Sequence, residues 1–235
     1  MFQGLIAAAE RALPGQCAVC HAWPAQPLCE SCVARFAQPR PRCVRCALPV
    51  PAGVPQCGRC LAAPPPLDAC HAAVPYDYPW SALVARYKFN GQAGWARVFA
   101  TLMRSTPWIE PAIDDAEVVL PMPLSRARLA ERGFNQALEI AKLLAPARTD
   151  ASLLLRIRHT TAQSALDRKA RMANVKGAFA LDPLRPHTVR GKKVLLVDDV
   201  MTSGASLYSA AQVLRDAGAA RITAVVIART DEPHA

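Results

Sequence analysis

The chain has 235 residues, 52% of them hydrophobic, and a formal net charge of +10. That length admits one substantial domain with a smaller companion, and the apolar content suffices for a sizeable core. The positive charge calls for an anionic partner, either nucleic acid or phosphorylated small molecules. No apolar run approaches the roughly 18 residues that a membrane span needs. The start of the chain has no basic region followed by a long apolar stretch, so no secretory signal is expected.

Phe2, Leu5, Ile6, Ala9 and Leu13 form a weak amphipathic stripe, read as a short packing helix. Eight of the nine cysteines then fall in four Cys-x-x-Cys pairs: Cys17/Cys20, Cys29/Cys32, Cys43/Cys46 and Cys57/Cys60. Each pair sets two thiolates on one side of a tight turn, and two turns complete a tetrahedron. Two structural zinc ions are expected, each fully ligated by thiolates with no position open to water. Iron–sulfur clusters are the main rival. The expected compartment is the cytoplasm, where cysteine clusters mean metal more often than disulfides. Sequential sharing, 17/20/29/32 and 43/46/57/60, closes short loops and is preferred to cross-braced sharing. With eight thiolates and two divalent ions the net charge falls to about +6.

Pro64-Pro65-Pro66 marks a boundary. It divides a double zinc ribbon, 1–66, from an α/β domain, 67–235. Cys70 lies in an apolar strand, Ala69 to Val74, and reads as a buried inert thiol. Tyr76, Tyr78 and Trp80 are aromatic candidates for a base pocket. Ala116 to Leu120 reads as a second strand that Pro121-Met122-Pro123 ends. A helix broken near Gly133 follows, then an amphipathic helix through Leu138, Ala141 and Leu144. Arg126, Arg128 and Arg132 suit phosphate oxygens or a solvated face. After the strand at Leu153–Leu155, residues 156–175 are polar and basic and read as a loop over a site. Residues 121–176 hold 11 Lys/Arg against 4 Asp/Glu, so most of the net charge is concentrated there.

The densest signal runs from Val194 to Ser206. Four apolar residues make a buried strand, Asp198 and Asp199 follow at its C-terminal end, and Thr202-Ser203-Gly204-Ala205-Ser206 opens a helix. Open α/β sheets bind ligands at the C-terminal ends of their strands, and free N–H groups at a helix start receive anions. Leu207, Ala210, Ala211 and Leu214 give that helix one apolar face. Gly218 ends it, and Ile222 to Ile227 returns as a parallel strand, a βαβ unit. The pattern suits a sugar phosphate.

The acid pair with its hydroxyl-rich turn resembles the phosphoribosyl pyrophosphate (PRPP) motif of type I phosphoribosyltransferases. The resemblance implies that Asp198 and Asp199 hold ribose in the catalytic site. It also implies that Thr202, Ser203, Gly204, Ala205 and Ser206 wrap the 5′-phosphate, with Mg²⁺ accompanying PRPP. By the same analogy Pro121 to Arg126 form the pyrophosphate loop. A wider resemblance, to the ComF/GntX family, rests on several signs in order. They are the cysteine array, Tyr87-Lys88-Phe89-Asn90-Gly91, Pro121-Met122-Pro123, Arg132-Gly133-Phe134-Asn135-Gln136, Thr161-Ala162-Gln163 with Leu166, Arg171 and Asn174, and the PRPP motif. It implies a phosphoribosyltransferase-like parallel sheet flanked by helices behind a double zinc ribbon. It further implies a link to DNA uptake in natural competence, or to gluconate-related functions, and identifies no acceptor. Two functions compete: phosphoribosyl transfer, and a ribbon module binding single-stranded DNA or a helicase-like partner with a regulatory PRPP site.

Overall fold

The computed structural model describes residues 15–23, 25–89, 91–158, 175 and 177–231. The amphipathic stripe at Phe2–Leu13 and most of the basic loop, including Thr161, Gln163, Arg171 and Asn174, lie outside the described residues. The chain forms two compact units, 1–38 and 39–235. No described helix is long and apolar enough to cross a membrane.

The first unit is a cysteine ribbon. Its turn runs from Cys17, whose N–H donates to Ala22 while its carbonyl accepts from His21. Helix α1, Glu30–Phe36, starts at its N-cap Cys29. The second unit opens with the same device. Cys43 N–H donates to Leu48, and the Cys43 carbonyl accepts from Ala47. Helix α2, Gly58–Ala62, starts at its N-cap Cys57. His21 and Ala47, the residues after the second cysteine of each knuckle, both have positive φ, 61° and 56°. The Cys-x-x-Cys repetition in the sequence is thus a repetition of backbone geometry.

The rest of the second unit is built on four parallel strands: β1, Ala69–Pro75; β2, Val118–Pro121; β5, Lys193–Met201; and β6, Arg221–Arg229. Their order across the sheet is β1-β6-β5-β2. Near-continuous apolar runs such as Val194–Val197 and Ile222–Ala228 are what a sheet covered on both faces requires. Helices α3, Trp80–Phe89, α4, Trp95–Arg104, and α5, Ile109–Asp115, connect β1 to β2. Helices α6, Arg126–Arg132, and α7, Gln136–Leu144, follow β2, and α8, Ala205–Asp216, joins β5 to β6. A separate antiparallel pair joins β3, Leu154–Arg156, to β4, Phe179–Leu181.

Alternation along the strands sorts the core. Cys70, Ala72, Leu120, Val194, Leu196, Ala224 and Val226 share one cluster with α8 and β3/β4 residues, and Cys43, Cys46, Leu48 and Cys60 join it. Each fully buried Leu, Ile or Val there contributes roughly 1.5–3 kcal/mol. The second ribbon is therefore packed onto the sheet, and edge strand β1 meets it directly: Cys70 N–H donates to the Val44 carbonyl at 2.8 Å. Asp68 accepts from Ile222 N–H at 2.8 Å and pairs with Arg215 at 2.6 Å. These bonds tie the chain just past the proline run to β6 and α8.

Candidate functional site

The C-terminal ends of the parallel strands converge on the acid pair. Because Asp198 and Asp199 are successive residues of β5, their side chains leave the sheet on opposite faces. Asp199 is buried, 7% exposed, and pairs with Lys88 Nζ at 2.8 Å. Asp198 is half-buried on the other face. Burial and the neighbouring Asp199 carboxylate push its pKa up to about 7, against the pull of Lys88, the Asp199 N–H and Arg132. Two adjacent carboxylates, one of them with a raised proton affinity, mark a site rather than a surface decoration.

Past the acids, β5 runs to Met201 and the chain turns through Thr202, Ser203 and Gly204 into α8. Gly204 has φ 82°, and a Cβ there would lie 2.6 Å from Met201 Cε and Tyr208 Cζ. Only glycine satisfies both the left-handed backbone and the space. Ser203 Oγ accepts from Ala205 N–H at 3.4 Å. The turn thus brings the main chain of five predicted residues to the start of a twelve-residue helix.

Pro121 to Arg126 lead out of β2, which pairs with β5. Pro121 is in register with Val197, and Met122 N–H donates to the Val197 carbonyl at 2.8 Å. Ser125 caps α6 by accepting from Arg128 N–H. Gly133, with φ 77°, ends that helix. Asn135 then starts α7, accepting from Ala137 and Leu138 N–H while its Nδ2 donates to the Met122 carbonyl at 3.1 Å. Tyr87 Oη donates to the Gln136 carbonyl at 2.8 Å, and Arg132 Nη1 donates to Gln136 Oε1 at 2.9 Å. Two motifs far apart in sequence, Tyr87-Lys88-Phe89 and Arg132 to Gln136, are one hydrogen-bonded assembly. Its purpose is legible in its outcome, since it carries Lys88 onto Asp199. Arg132 stacks over Phe89 at 5.3 Å, and its buried Nε has no acceptor among the described residues.

Sequence reasoning gave Lys88 no role, although a lysine between two aromatic residues was a signal. It also stopped β6 at Ile227, short of Arg229, a cation at the end of an unbroken apolar strand. Trp80 is fully buried in the core and lines no base pocket, whereas Tyr78 is exposed. Cys70 is buried in apolar surroundings, which push its thiol up to about 12, so it is inert. His71 is held down to about 4 by burial and Arg221, and is a neutral packed side chain.

The thiols gather sequentially. Cys17, Cys20, Cys29 and Cys32 form one group, and Cys43, Cys46, Cys57 and Cys60 the other, with all ligand atoms of each group within 4.8 Å of one another. Measured Sγ–Sγ separations are 3.8 Å for Cys17/Cys32, 3.6 Å for Cys20/Cys29 and 3.7 Å for Cys46/Cys57. A tetrahedral ion with Zn–S bonds of about 2.3 Å sets its thiolates roughly 3.8 Å apart. The spacing fits one ion per group and is too tight for a polynuclear iron–sulfur core. Burial opposes charge on Cys17 and Cys43. Backbone N–H donors of the knuckles outweigh it and hold these thiols down to about 6 and about 7. Both groups fit zinc ribbons.

The sheet order, the acid pair and the glycine turn define a type I phosphoribosyltransferase-like domain, and residues 131–234 match the phosphoribosyl transferase domain profile. The likeness to characterised chains extends further. DNA utilization protein YhgH of Salmonella typhimurium is 31% identical over 232 residues, covering 93% of this chain and 98% of that protein. Competence protein F of Haemophilus influenzae is 32% identical over 166 residues, 66% of this chain and 69% of its own. Competence protein ComFC of Bacillus subtilis is 30% identical over 148 residues, 63% of this chain and 58% of its own. With its paired cysteine groups ahead of the phosphoribosyltransferase sheet, the chain belongs to the ComF/GntX family.

Proposed function

We propose that the chain binds PRPP with Mg²⁺ at the C-terminal edge of its parallel sheet. One observation carries the reading. Two neighbouring carboxylates end a strand that turns through a left-handed glycine into a helix, and the charges of Lys88, Arg132 and Arg156 reach those acids. In this reading Asp198 and Asp199 accept from the ribose hydroxyls. Thr202, Ser203, Gly204, Ala205 and Ser206 receive the 5′-phosphate through hydroxyls and main-chain N–H groups. Pro121 to Arg126 and the unpaired Arg132 Nε serve the pyrophosphate. The reaction is phosphoribosyl transfer: the bond from ribose C1 to pyrophosphate breaks, and C1 bonds to an acceptor nucleophile. The chain's contribution is positioning and electrostatic stabilisation of the leaving group. Two zinc ions are structural, and the working compartment is the cytoplasm.

The names of the relatives, DNA utilization and competence, make DNA handling the proposed setting. A second reading has a binding module for single-stranded DNA or a helicase-like partner, with PRPP as regulator. It is favoured by a cavity of about 200 Å³ lined by Arg40, Arg42, His71 and Trp108, which offers cations beside aromatic rings.

Calorimetry with Mg·PRPP tests the site. The wild type binds, and Asp198→Asn with Asp199→Asn together abolish the heat; unchanged binding refutes the assignment. Incubation with PRPP and a panel of bases and nucleic acids then separates the readings. Acceptor-dependent pyrophosphate release supports transfer. Salt-sensitive DNA binding without pyrophosphate release supports the binding module.

A further inference from the structure

Arg229 ends β6 as one of the most completely buried side chains of the molecule, 1% exposed. Burying a guanidinium is costly unless its donors are satisfied. Here the acceptors are main-chain oxygens from two different places. Nε donates to the Cys46 carbonyl at 2.9 Å. Nη1 is ringed by the carbonyls of Met201 at 3.1 Å, Thr202 at 2.5 Å and Thr230 at 2.6 Å, with Thr230 Oγ1 at 3.2 Å. One end of the fork therefore grips a knuckle of the second thiolate group, and the other grips the first residues of the turn after Asp199.

We propose that Arg229 couples the second thiolate group to the phosphate turn, so that metal held by Cys43, Cys46, Cys57 and Cys60 and ligand held by Thr202 to Ser206 strengthen each other's binding. The inference rests on the phosphoribosyl reading of the turn and adds a control to it. Two physical arguments support it. A trans peptide is planar, with its N–H opposed to its C=O. Drawing the Met201 and Thr202 carbonyls onto Arg229 thus turns the N–H groups of Thr202 and Ser203 away from it, which arms the turn for an anion. A tetrathiolate group with one divalent ion also carries a formal charge of about −2. That charge lies beside Cys46 and compensates a guanidinium that β6 buries in the apolar core. Without the ion the knuckle has no fixed shape, the Cys46 carbonyl moves, and the fork loses its anchor on that side. Coupling between two sites is reciprocal, so ligand at the turn stabilises metal in the knuckle.

The test uses the full zinc-loaded chain. Release of zinc to 4-(2-pyridylazo)resorcinol is followed in magnesium buffer with and without PRPP, and PRPP affinity is measured by calorimetry for wild type and Arg229→Lys. Lysine keeps the charge and loses the fork. PRPP is expected to slow release of one of the two ions roughly fivefold or more, leaving the other as an internal reference. Arg229→Lys is expected to retain two zinc ions, to bind PRPP about tenfold more weakly and to lose the protection. Should the variant fail to fold, the wild-type release rates decide alone. PRPP binding without any change in zinc release, or Arg229→Lys binding PRPP as tightly as wild type, overturns the coupling and leaves the site reading standing. Absence of PRPP binding to wild type overturns both.

Discussion

Asp198 is the residue whose chemistry the fold alters most. A carboxyl ordinarily titrates near 4, and this one is raised to about 7 by burial and by Asp199. A raised carboxyl binds its proton more tightly in the folded chain than in the unfolded one. It therefore costs the fold nothing below pH 4; the cost grows between about pH 4 and pH 7 and is fully present above 7, where both states are ionised. Asp198→Asn is expected to raise stability at pH 8 by on the order of 1 kcal/mol, and not at pH 4, in denaturant titrations at both values. The same group sets a pH limit on ligand. As an acceptor for ribose hydroxyls it must be ionised, so PRPP affinity should rise between pH 6 and 8. Lys88→Met should move that profile to higher pH, since the lysine charge helps ionise Asp198, and calorimetry across the range checks the direction. The acids and their turn are legible in sequence because each lies within a few positions of the other. Lys88 is not, because it is brought to Asp199 by Tyr87, Gln136 and Arg132, a set assembled from separate segments.

At the scale of elements, β5, α8 and β6 follow from the apolar runs and the glycine between them. Trp80, Leu83, Val84 and Tyr87 stand at helical spacing on α3 and are all buried, a periodicity that the reading of Trp80 as a base-pocket aromatic passed over. The break at Gly133 was visible as a glycine, but the reason for it is tertiary: Asn135 must reach the Met122 carbonyl. Leu153–Leu155 read as a strand, yet nothing local says that β3 leaves the main sheet to pair antiparallel with β4. Gly204 is where one element hands over to the next. Gly204→Ala combines left-handed strain with the close approach of Met201 and Tyr208. It is expected to cost about 1–3 kcal/mol or more in thermal melts and to remove PRPP binding by calorimetry.

Across the whole molecule, the two ribbons share one backbone plan but belong to different compact units. The second lies in the compact unit that holds the sheet, and Cys43, Cys46 and Cys60 belong to that unit's core. Elemental analysis should find two zinc ions in wild type and one in either Cys20→Ser or Cys57→Ser. Only Cys57→Ser strikes the unit of residues 39–235, and it should lower that unit's stability by on the order of 4 kcal/mol. In sequence, residues 121–176 hold 11 Lys/Arg against 4 Asp/Glu, and two of those cations, Arg132 and Arg156, lie near enough to Asp198 to act on its charge, so an anion reaching the acid pair meets positive charge there.

The contact between Val44 and Cys70 has a consequence for solubility. β1 is an edge strand of an apolar parallel sheet, and such edges recruit other chains when their N–H groups are left bare. The second ribbon lays a carbonyl against that edge, so an ion held by its four thiolates would guard against intermolecular strand addition as well as hold a fold. Chelation should therefore produce turbidity before it produces a clean unfolding transition, with light scattering rising while far-UV circular dichroism still reports sheet.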